Sequence, residues 1–532
     1  MSDLYVLAGY VATNYDGGTP APLGELCYAA EITVWDIAAQ TASVQYVSSA
    51  PFVTGPNDTP PHTAFDPCIQ QPALMRQMIF DASRSFGASQ ISYGEMTLAN
   101  VDGHLDDWGE LIMEGRALVL RVGRSGLRYP DDWALAVTAL MDPPYWDERL
   151  LSLRLRSKMT LLDRELPLTR YAGNNVLPNG LEGTAGDLAG RYKPRSYGLP
   201  NNVSLLPVNT SKLIYQFNDG PINVAIVLLD NGVELAFYGD YSMAVLQASA
   251  PSPGSFMSCC AEGYIRLGSP ASGVLSITLI VSSEENSAAS IFQQVALAAG
   301  IDSSDIVTAD LTALKAVNGS SHGLWIGAPI TARDALDMVA QSVGACYWFD
   351  VSGQLRIAAI TPPRGTPVMI LTVDTILSLK RQAASIPARQ IEVRYAKNWT
   401  VLTQFAGGVT ESLRAWLAQE WRIALADGVS VADYPSADVW SIDTLLSSAY
   451  PGADNQDAAE SQAAAFALLF GVKRDRLTVN VRIDAALIGA LELNAVIRVV
   501  YPRFGYDDGK LMRVMGIETD LRIGRAELTL WG

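Results

Sequence analysis

Histidine is nearly missing from this chain: His62, His104 and His322 are the only three in 532 residues. A two- or three-histidine metal centre would have to gather most of them from distant segments, so no metal site is expected. Cysteine is sparse too. Cys27, Cys68, Cys259, Cys260 and Cys346 are odd in number and fit neither a disulfide framework nor a metal knuckle, which leaves reduced, structural thiols as the expectation. Charged residues make up 17% of the chain, against about 25% in an average soluble domain. No apolar run approaches the ~18 residues of a membrane span, and the opening Met1-Ser2-Asp3-Leu4-Tyr5-Val6-Leu7-Ala8 lacks the basic and apolar regions of a signal peptide. Synthesis in a cytoplasm without stable membrane insertion is the expectation. Lys+Arg 38 against Asp+Glu 55 gives a net charge of -17 with no basic run, which disfavours specific nucleic-acid binding.

What is present is a large apolar fraction, 49% of the residues, in a chain too long for one core. Low charge at this length implies apolar surface buried between subunits, hence an obligate oligomer.

Four regions follow from the punctuation. Residues 1–165 read as an antiparallel β domain: 91–100 leads into the Asp102-Gly103 turn, 117–123 is a buried strand, and 151–156 alternates with period two. In residues 166–285, Gly173, Pro178, Gly180, Gly183, Gly186, Gly190 and Pro194 crowd into a long shaped loop. Strands then resume at 213–217 and 226–229 across a turn at 218–221, with a second turn at Asp230-Asn231-Gly232, giving a second β domain. Residues 286–365 form a small α/β unit. Ser287 caps a helix bearing Ile291, Phe292, Val295 and Ala298 that stops at Gly300, and Thr331 caps another with Asp334 at the capping-box position and Gly344 at its exit. A hairpin of 346–349 and 355–358 follows. Residues 366–532 hold a strand at 391–395, an Ala-rich helix at 457–470, and four closing strands at 479–483, 496–500, 511–514 and 527–531. The fold class is therefore mainly β with an α+β insertion.

Catalytic patterns are few. Gly319-Ser320-Ser321-His322-Gly323 matches the Gly-x-Ser-x-Gly nucleophile elbow, but an elbow needs a strand before the serine and a helix after it. Here a helical stretch at 311–317 precedes and the strand-like Leu324-Trp325-Ile326 follows, so a Gly/Ser loop is expected. Asp102, His104, Asp106 and Asp107 cluster within six positions without EF-hand spacing, which reads as a solvated hairpin tip. Glu110 and Glu114 with Asp106 could form a glycosidase pair or simply a charged face. Adjacent Cys259 and Cys260 point to opposite faces of a strand, one buried and one half-exposed. Gly183, Gly186 and Gly190 have no dinucleotide-fingerprint spacing, and no phosphate loop occurs. Trp35, Trp108, Trp133, Trp146, Trp348, Trp416, Trp421 and Trp440 could line a sugar surface, but spread this evenly they read as core and interface anchors. No catalytic, cofactor-binding or metal residue is assigned.

Several segments together resemble the hub proteins at the tail tip or baseplate of long-tailed, siphovirus-like bacteriophages, prophages and gene transfer agents. They are Tyr93-Gly94-Glu95, Leu98-Ala99-Asn100 with Asp102-Gly103 and Leu105-Asp106, then Leu181-Glu182-Gly183-Thr184 with Leu188-Ala189-Gly190-Arg191, Lys193-Pro194 and Tyr197-Gly198. Val208-Asn209, Leu213-Ile214-Tyr215-Gln216, Ile326-Gly327, Thr331-Ala332-Arg333-Asp334-Ala335-Leu336-Asp337, Trp348-Phe349-Asp350 and Gly353-Gln354-Leu355-Arg356 continue the series over most of the chain.

The resemblance implies a non-enzymatic structural protein of the virion, assembled in the bacterial host cytoplasm. It implies β-barrel hub domains at 1–165 and 366–532 and a homotrimer whose two barrels per chain present a pseudo-sixfold ring. Its partners would be distal tail or tube proteins, the tape-measure protein, and spike or tail-fibre proteins around a genome exit channel. Some tail-tip proteins hold an iron-sulfur centre on a cysteine cluster; this chain has none comparable, so no cofactor is carried over. A cell-wall hydrolase and a receptor- or glycan-binding tail module are the competing expectations.

Overall fold

The computed structural model describes residues 6–7, 10–11, 26–79, 86–124, 126–166, 168–176, 179–282, 286–383, 385–448, 455–482, 485–521 and 523–532. Residues 1–5 and 8, Pro178 and Ile483, singled out above, lie outside them. The described chain is mostly β, with a half-barrel sheet, several smaller sheets and a few helices. No helix among the described residues is long and apolar enough to cross a membrane.

A nine-stranded sheet gathers the N-terminal strands. Ala117–Gly123 lies between Cys27–Asp36 and Ala134–Met141, with Leu120 opposite both Ala30 and Val137. Leu150–Arg156 shows why these residues choose a strand: Leu151, Leu153 and Leu155 are buried while Ser152, Arg154 and Arg156 face outward, the two-residue period of a pleat with one wet face.

An eight-stranded sheet holds the C-terminal strands Met369–Leu371, Ile376–Arg381, Arg476–Arg482, Val496–Tyr501, Tyr506–Asp520 and Arg525–Trp531, joined by Leu74–Met78 and Gln90–Tyr93. Tyr506–Asp520 pairs with Arg525–Trp531 along one edge and bends to serve two further neighbours along the other. Its first part pairs with Val496–Tyr501, Lys510 opposite Val499, and its last part pairs with Leu74–Met78, Ile517 opposite Gln77. A register shift between Val514 and Gly516 marks the bend, as a bulge curls its strand. Residues from opposite ends of the chain thus complete one sheet.

The inner faces of the two sheets share a single hydrophobic cluster, to which Met96, Leu98, Leu118 and Leu120 come from the first and Val479, Val481, Ile497, Leu528 and Leu530 from the second. Tyr93-Gly94-Glu95 is the crossover between them, because Tyr93 ends a strand of the second sheet and Glu95 begins one of the first. Gly94 donates to the Leu74 carbonyl and accepts from Leu155, and a Cβ there would lie 3.3 Å from that carbonyl oxygen. Strand Ile376–Arg381 is fastened through Asp475, whose carboxylate accepts from Arg381 Nη2 (2.6 Å), Lys510 Nζ (2.7 Å) and Tyr506 OH (2.8 Å). Burial alone would raise the Asp475 carboxyl; these donors prevail and hold it at about 2.

The helices of the central unit start and stop as their caps dictate. Ala288–Ala298 is capped by Ser287 Oγ, and Ala332–Val343 by Thr331 Oγ1, which accepts from the Asp334 amide at 3.1 Å; Gly344 leaves the second with φ +66°. Asp337 then reaches a distant segment, accepting from the Ala88 amide (2.7 Å) and the Tyr347 hydroxyl (2.9 Å). This fixes Gly87–Ala88 as a parallel strand beside the hairpin Ala345–Phe349/Leu355–Ala359.

One turn differs from expectation. Ile214–Gln216 and Val224–Asp230 do not pair across 218–221; the first pairs with Leu206–Asn209 and Tyr264–Leu267, the second with Leu275–Ile280. The intervening residues are bound elsewhere, since Asn218 Oδ1 accepts from the Ser196 amide (2.7 Å) and the Asp219 amide donates to the Pro194 carbonyl (2.6 Å). Asn231-Gly232, by contrast, closes a two-residue hairpin with φ of 47° and 85°, the left-handed pair such turns require.

Candidate functional site

The Gly-Ser-Ser-His-Gly segment is a strap that passes from an exposed Gly319 through half-buried Ser320 and Ser321 to a buried His322 and Gly323. Helix Thr308–Val317 precedes it and strand Gly323–Ile326 follows, the reverse of an elbow. Its backbone is held on both sides: the His322 amide donates to Asn286 and its carbonyl accepts from Leu199, while the Ser321 carbonyl accepts from Ser447. Gly323 is demanded by close approach, since a Cβ there would stand 2.1 Å from the Leu199 carbonyl oxygen. His322 is fully buried. Its Nδ1 donates to the Ser320 carbonyl at 2.9 Å, Nε2 has no hydrogen-bond partner, and burial pushes the imidazole down to about 4. With that ring turned to Ser320, Ser321→Ala is expected to leave the thermal midpoint unchanged, and a serine-directed acylating reagent is expected to leave Ser321 unlabelled. Stoichiometric labelling of Ser321 would instead mark it as a working nucleophile.

The Gly-rich loop is docked through its backbone. The Gly183 amide donates to Val208 and its carbonyl accepts from Asn175, and Lys193 Nζ reaches Glu182 Oε1 at 2.7 Å. Tyr171 and Leu188 insert between loop and sheet beside Met257 and Cys259. Gly186 and Gly190 have open space where a Cβ would go.

Cys259 and Cys260 face opposite sides, but both are buried, at 1% and 7% exposure, which corrects the half-exposed thiol read from sequence. The strand Ser255–Cys259 ends at Cys259 and Cys260 opens the turn after it, and both are covered: Cys259 by Tyr171 and Leu188 of the loop, Cys260 by a second cluster containing Leu228 and Ile277. Burial raises both thiols, Cys260 to about 11.

The tryptophans pack. Trp133 lies with Phe52, Phe65 and Tyr129; Trp348 and Trp440 sit in or against another core cluster, and Trp108 and Trp146 against the shared core. Trp35 lies under Arg116, Trp416 under Arg422, and Lys397 stands over Trp421. Exposed rings belong instead to Tyr145 (69%), Phe504 (42%) and the neighbouring Phe237 (52%), Tyr238 (56%) and Tyr241 (37%), which the tryptophan pattern did not signal.

Among the acidic residues, Asp106 accepts from Asn100 Nδ2 at 2.8 Å, and Asp107, Glu110 and Glu114 are exposed. His104 has a different setting. Its Nε2 lies 2.9 Å from Asp66 Oδ2 and its Nδ1 contacts Asp102 Oδ1, while Asp66, Cys68 and His104 form a group whose donor atoms all fall within 4.8 Å of one another. Asp102 foremost raises the imidazole, whereas burial first and the Asp66 charge second push the Cys68 thiol to about 12. Asp66 is 38 residues from His104, so local spacing could not reveal it. The signal was strand pairing: Ile69–Gln71 runs antiparallel to Glu95–Ala99, with Ile69 opposite Leu98, which brings the residues before one strand beside those after the other.

The N-terminal sheet also leaves an edge. Thr41–Ser48 pairs only with Cys27–Asp36 apart from a bridge between Val47 and Asp66, among the described residues. Thr41, Ala42, Ser43 and Val44 are all exposed, with Ile37 at the adjoining turn.

No family model and no curated protein matches the chain. Similar solved structures include the 43 kDa tail protein of prophage MuSo2 from Shewanella oneidensis, at 10% identity and TM-score 0.37 over 88% of this chain and 94% of that one. A tail protein from Neisseria meningitidis MC58 is also 10% identical, TM-score 0.37, over 95% and 96%. A chain of the native gene transfer agent virion is 13% identical, TM-score 0.39, over 70% and 91%. The class these structures represent is the tail and virion proteins of phage-like particles.

Proposed function

We propose that the chain is a structural hub of a phage-type tail tip or baseplate, without catalytic activity, joining the tail tube or distal tail ring to the central spike and fibres. The observation that carries this reading is two curved β sheets, drawn from opposite ends of the chain, that share one core and still leave strand edges open. The Thr41–Ser48 edge contains no charged residue and no proline, the devices by which monomeric proteins protect an edge. Such an edge suits pairing with a neighbouring subunit.

The segments that resemble hub proteins also fall where parts of this molecule join. Gly94 is the crossover between sheets, Gly183 docks the long loop, and Asp337 ties the central helix to residues 87–88. Three copies, each with two sheets, offer six comparable docking surfaces to a hexameric tail, with the tape-measure protein and departing genome on the axis. An acidic lumen lets DNA slide, because fixed cations would hold phosphate at every step. Cryo-EM of the assembled particle tests the reading. Three copies around the tail axis, with more Asp and Glu than Lys and Arg facing the lumen, are expected. Six copies in one ring, or a single copy off the axis, would overturn the hub.

A further inference from the structure

We propose that Asp66, Cys68 and His104 form a binding site for a divalent cation of the zinc class, with Asp102 orienting the histidine. The three donors are a carboxylate, a thiol and an imidazole nitrogen, the mixed oxygen, sulfur and nitrogen set that zinc accepts and that calcium or magnesium would not select. In a tetrahedral zinc site, bonds of about 2.0–2.3 Å place donor atoms roughly 3.3–3.6 Å apart. The donor atoms here already lie within 4.8 Å of one another, so side-chain rotation alone closes the cage. A fourth position remains for water, reached from the side on which His104 is exposed.

The surroundings hold these donors in place before any ion arrives. The Asp66 backbone is pinned to the Thr41–Ser48 strand, its amide donating to Tyr46 and its carbonyl accepting from Ser48, and the Cys68 carbonyl accepts from the Ala99 amide. On the opposite side, Asn100 Oδ1 accepts from the Leu105 amide at 2.9 Å, and its carbonyl accepts from the Gly103 amide, which shapes the turn that presents His104. Asp102 Oδ1 meets His104 Nδ1, leaving Nε2 directed at Asp66. A carboxylate on the far ring nitrogen of a ligating histidine is a recurrent outer partner of metal sites, because it fixes the tautomer and the ring direction. The ion would clamp the Asp-Pro-Cys segment to the Asp-Gly turn, beside the open edge of the N-terminal sheet.

The test uses the full chain, stripped with a chelator and titrated with Zn2+ and, as a spectroscopic probe, Co2+. About one equivalent of zinc should be retained. Cobalt should give the visible bands of tetrahedral coordination with a thiolate charge-transfer band in the near ultraviolet, and zinc should raise the thermal midpoint. His104→Gln, at an exposed position that should fold, is expected to weaken zinc binding at least about tenfold, and Asp102→Asn by about 10–100-fold as a positioning residue. Cys68→Ser should abolish the charge-transfer band. Absence of stoichiometric uptake by the unaltered chain, equal uptake by His104→Gln, or a cobalt spectrum indifferent to Cys68→Ser would each overturn the assignment.

Discussion

Gly183→Val is expected to destabilise the chain by about 3–5 kcal/mol, summing the cost of a left-handed β-branched residue and of overpacking. Gly183 has φ +67°, and a Cβ there would lie 2.6 Å from Leu188 Cδ1 and 2.7 Å from its Cβ. Leu188 cannot retreat, being 1% exposed within the cluster of Tyr171, Val208, Met257 and Cys259. Nor can the glycine rotate away without releasing hydrogen bonds to Val208 and Asn175. Gly186→Val is the matched control in the same loop, since nothing lies within 4 Å of its Cβ position. Thermal unfolding, with limited proteolysis of the 168–194 segment, distinguishes the two. Equal midpoints for both variants would show that the loop does not depend on this turn.

That glycine was legible in the sequence because its reason is local, and the same holds for the central helices. Ser287 with Gly300, and Thr331 with Asp334 and Gly344, carry their start and stop signals within a few residues, and the structure places the caps there. Asp230-Asn231-Gly232 was legible for the same reason. What could not be read is membership of a sheet. Nothing in Leu74–Met78 announces a partner in Tyr506–Asp520, and the turn-forming residues 218–221 are claimed by Ser196 and Pro194 instead of by a hairpin. The paired burial of Cys259 and Cys260 depends on two coverings that are remote in sequence. The candidate cation site shows the same divide. His104 and Asp102 stood out together, while Asp66 and Cys68 joined them only through the pairing of Ile69–Gln71 with Glu95–Ala99. Local chemistry is written contiguously; strand partnership is settled by which apolar faces can share a core.

His322 should make the fold sensitive to acid. Burial holds its imidazole at about 4 in the folded chain, against 6.5 for a free histidine, because Nε2 is enclosed without a partner that could receive a proton's charge. Between these values the unfolded chain binds a proton that the folded chain refuses. The contribution to stability is therefore complete above about pH 6.5 and is lost as the pH falls toward 4, reaching about 3 kcal/mol. The consequence is concentrated at a junction, since the strap bearing His322 binds Asn286, Leu199 and Ser447. His322→Gln removes the titrating group while keeping an amide able to face the Ser320 carbonyl. Its thermal midpoint should fall less between pH 7 and pH 4.5 than that of the unaltered chain. With only His62, His104 and His322 present, imidazole resonances offer a direct reading: His104, beside Asp102 and Asp66, should titrate above 6.5 and His322 near 4. Parallel pH profiles for the two chains, or a His322 resonance titrating near 6.5, would mean that water reaches the ring and that the strap is open.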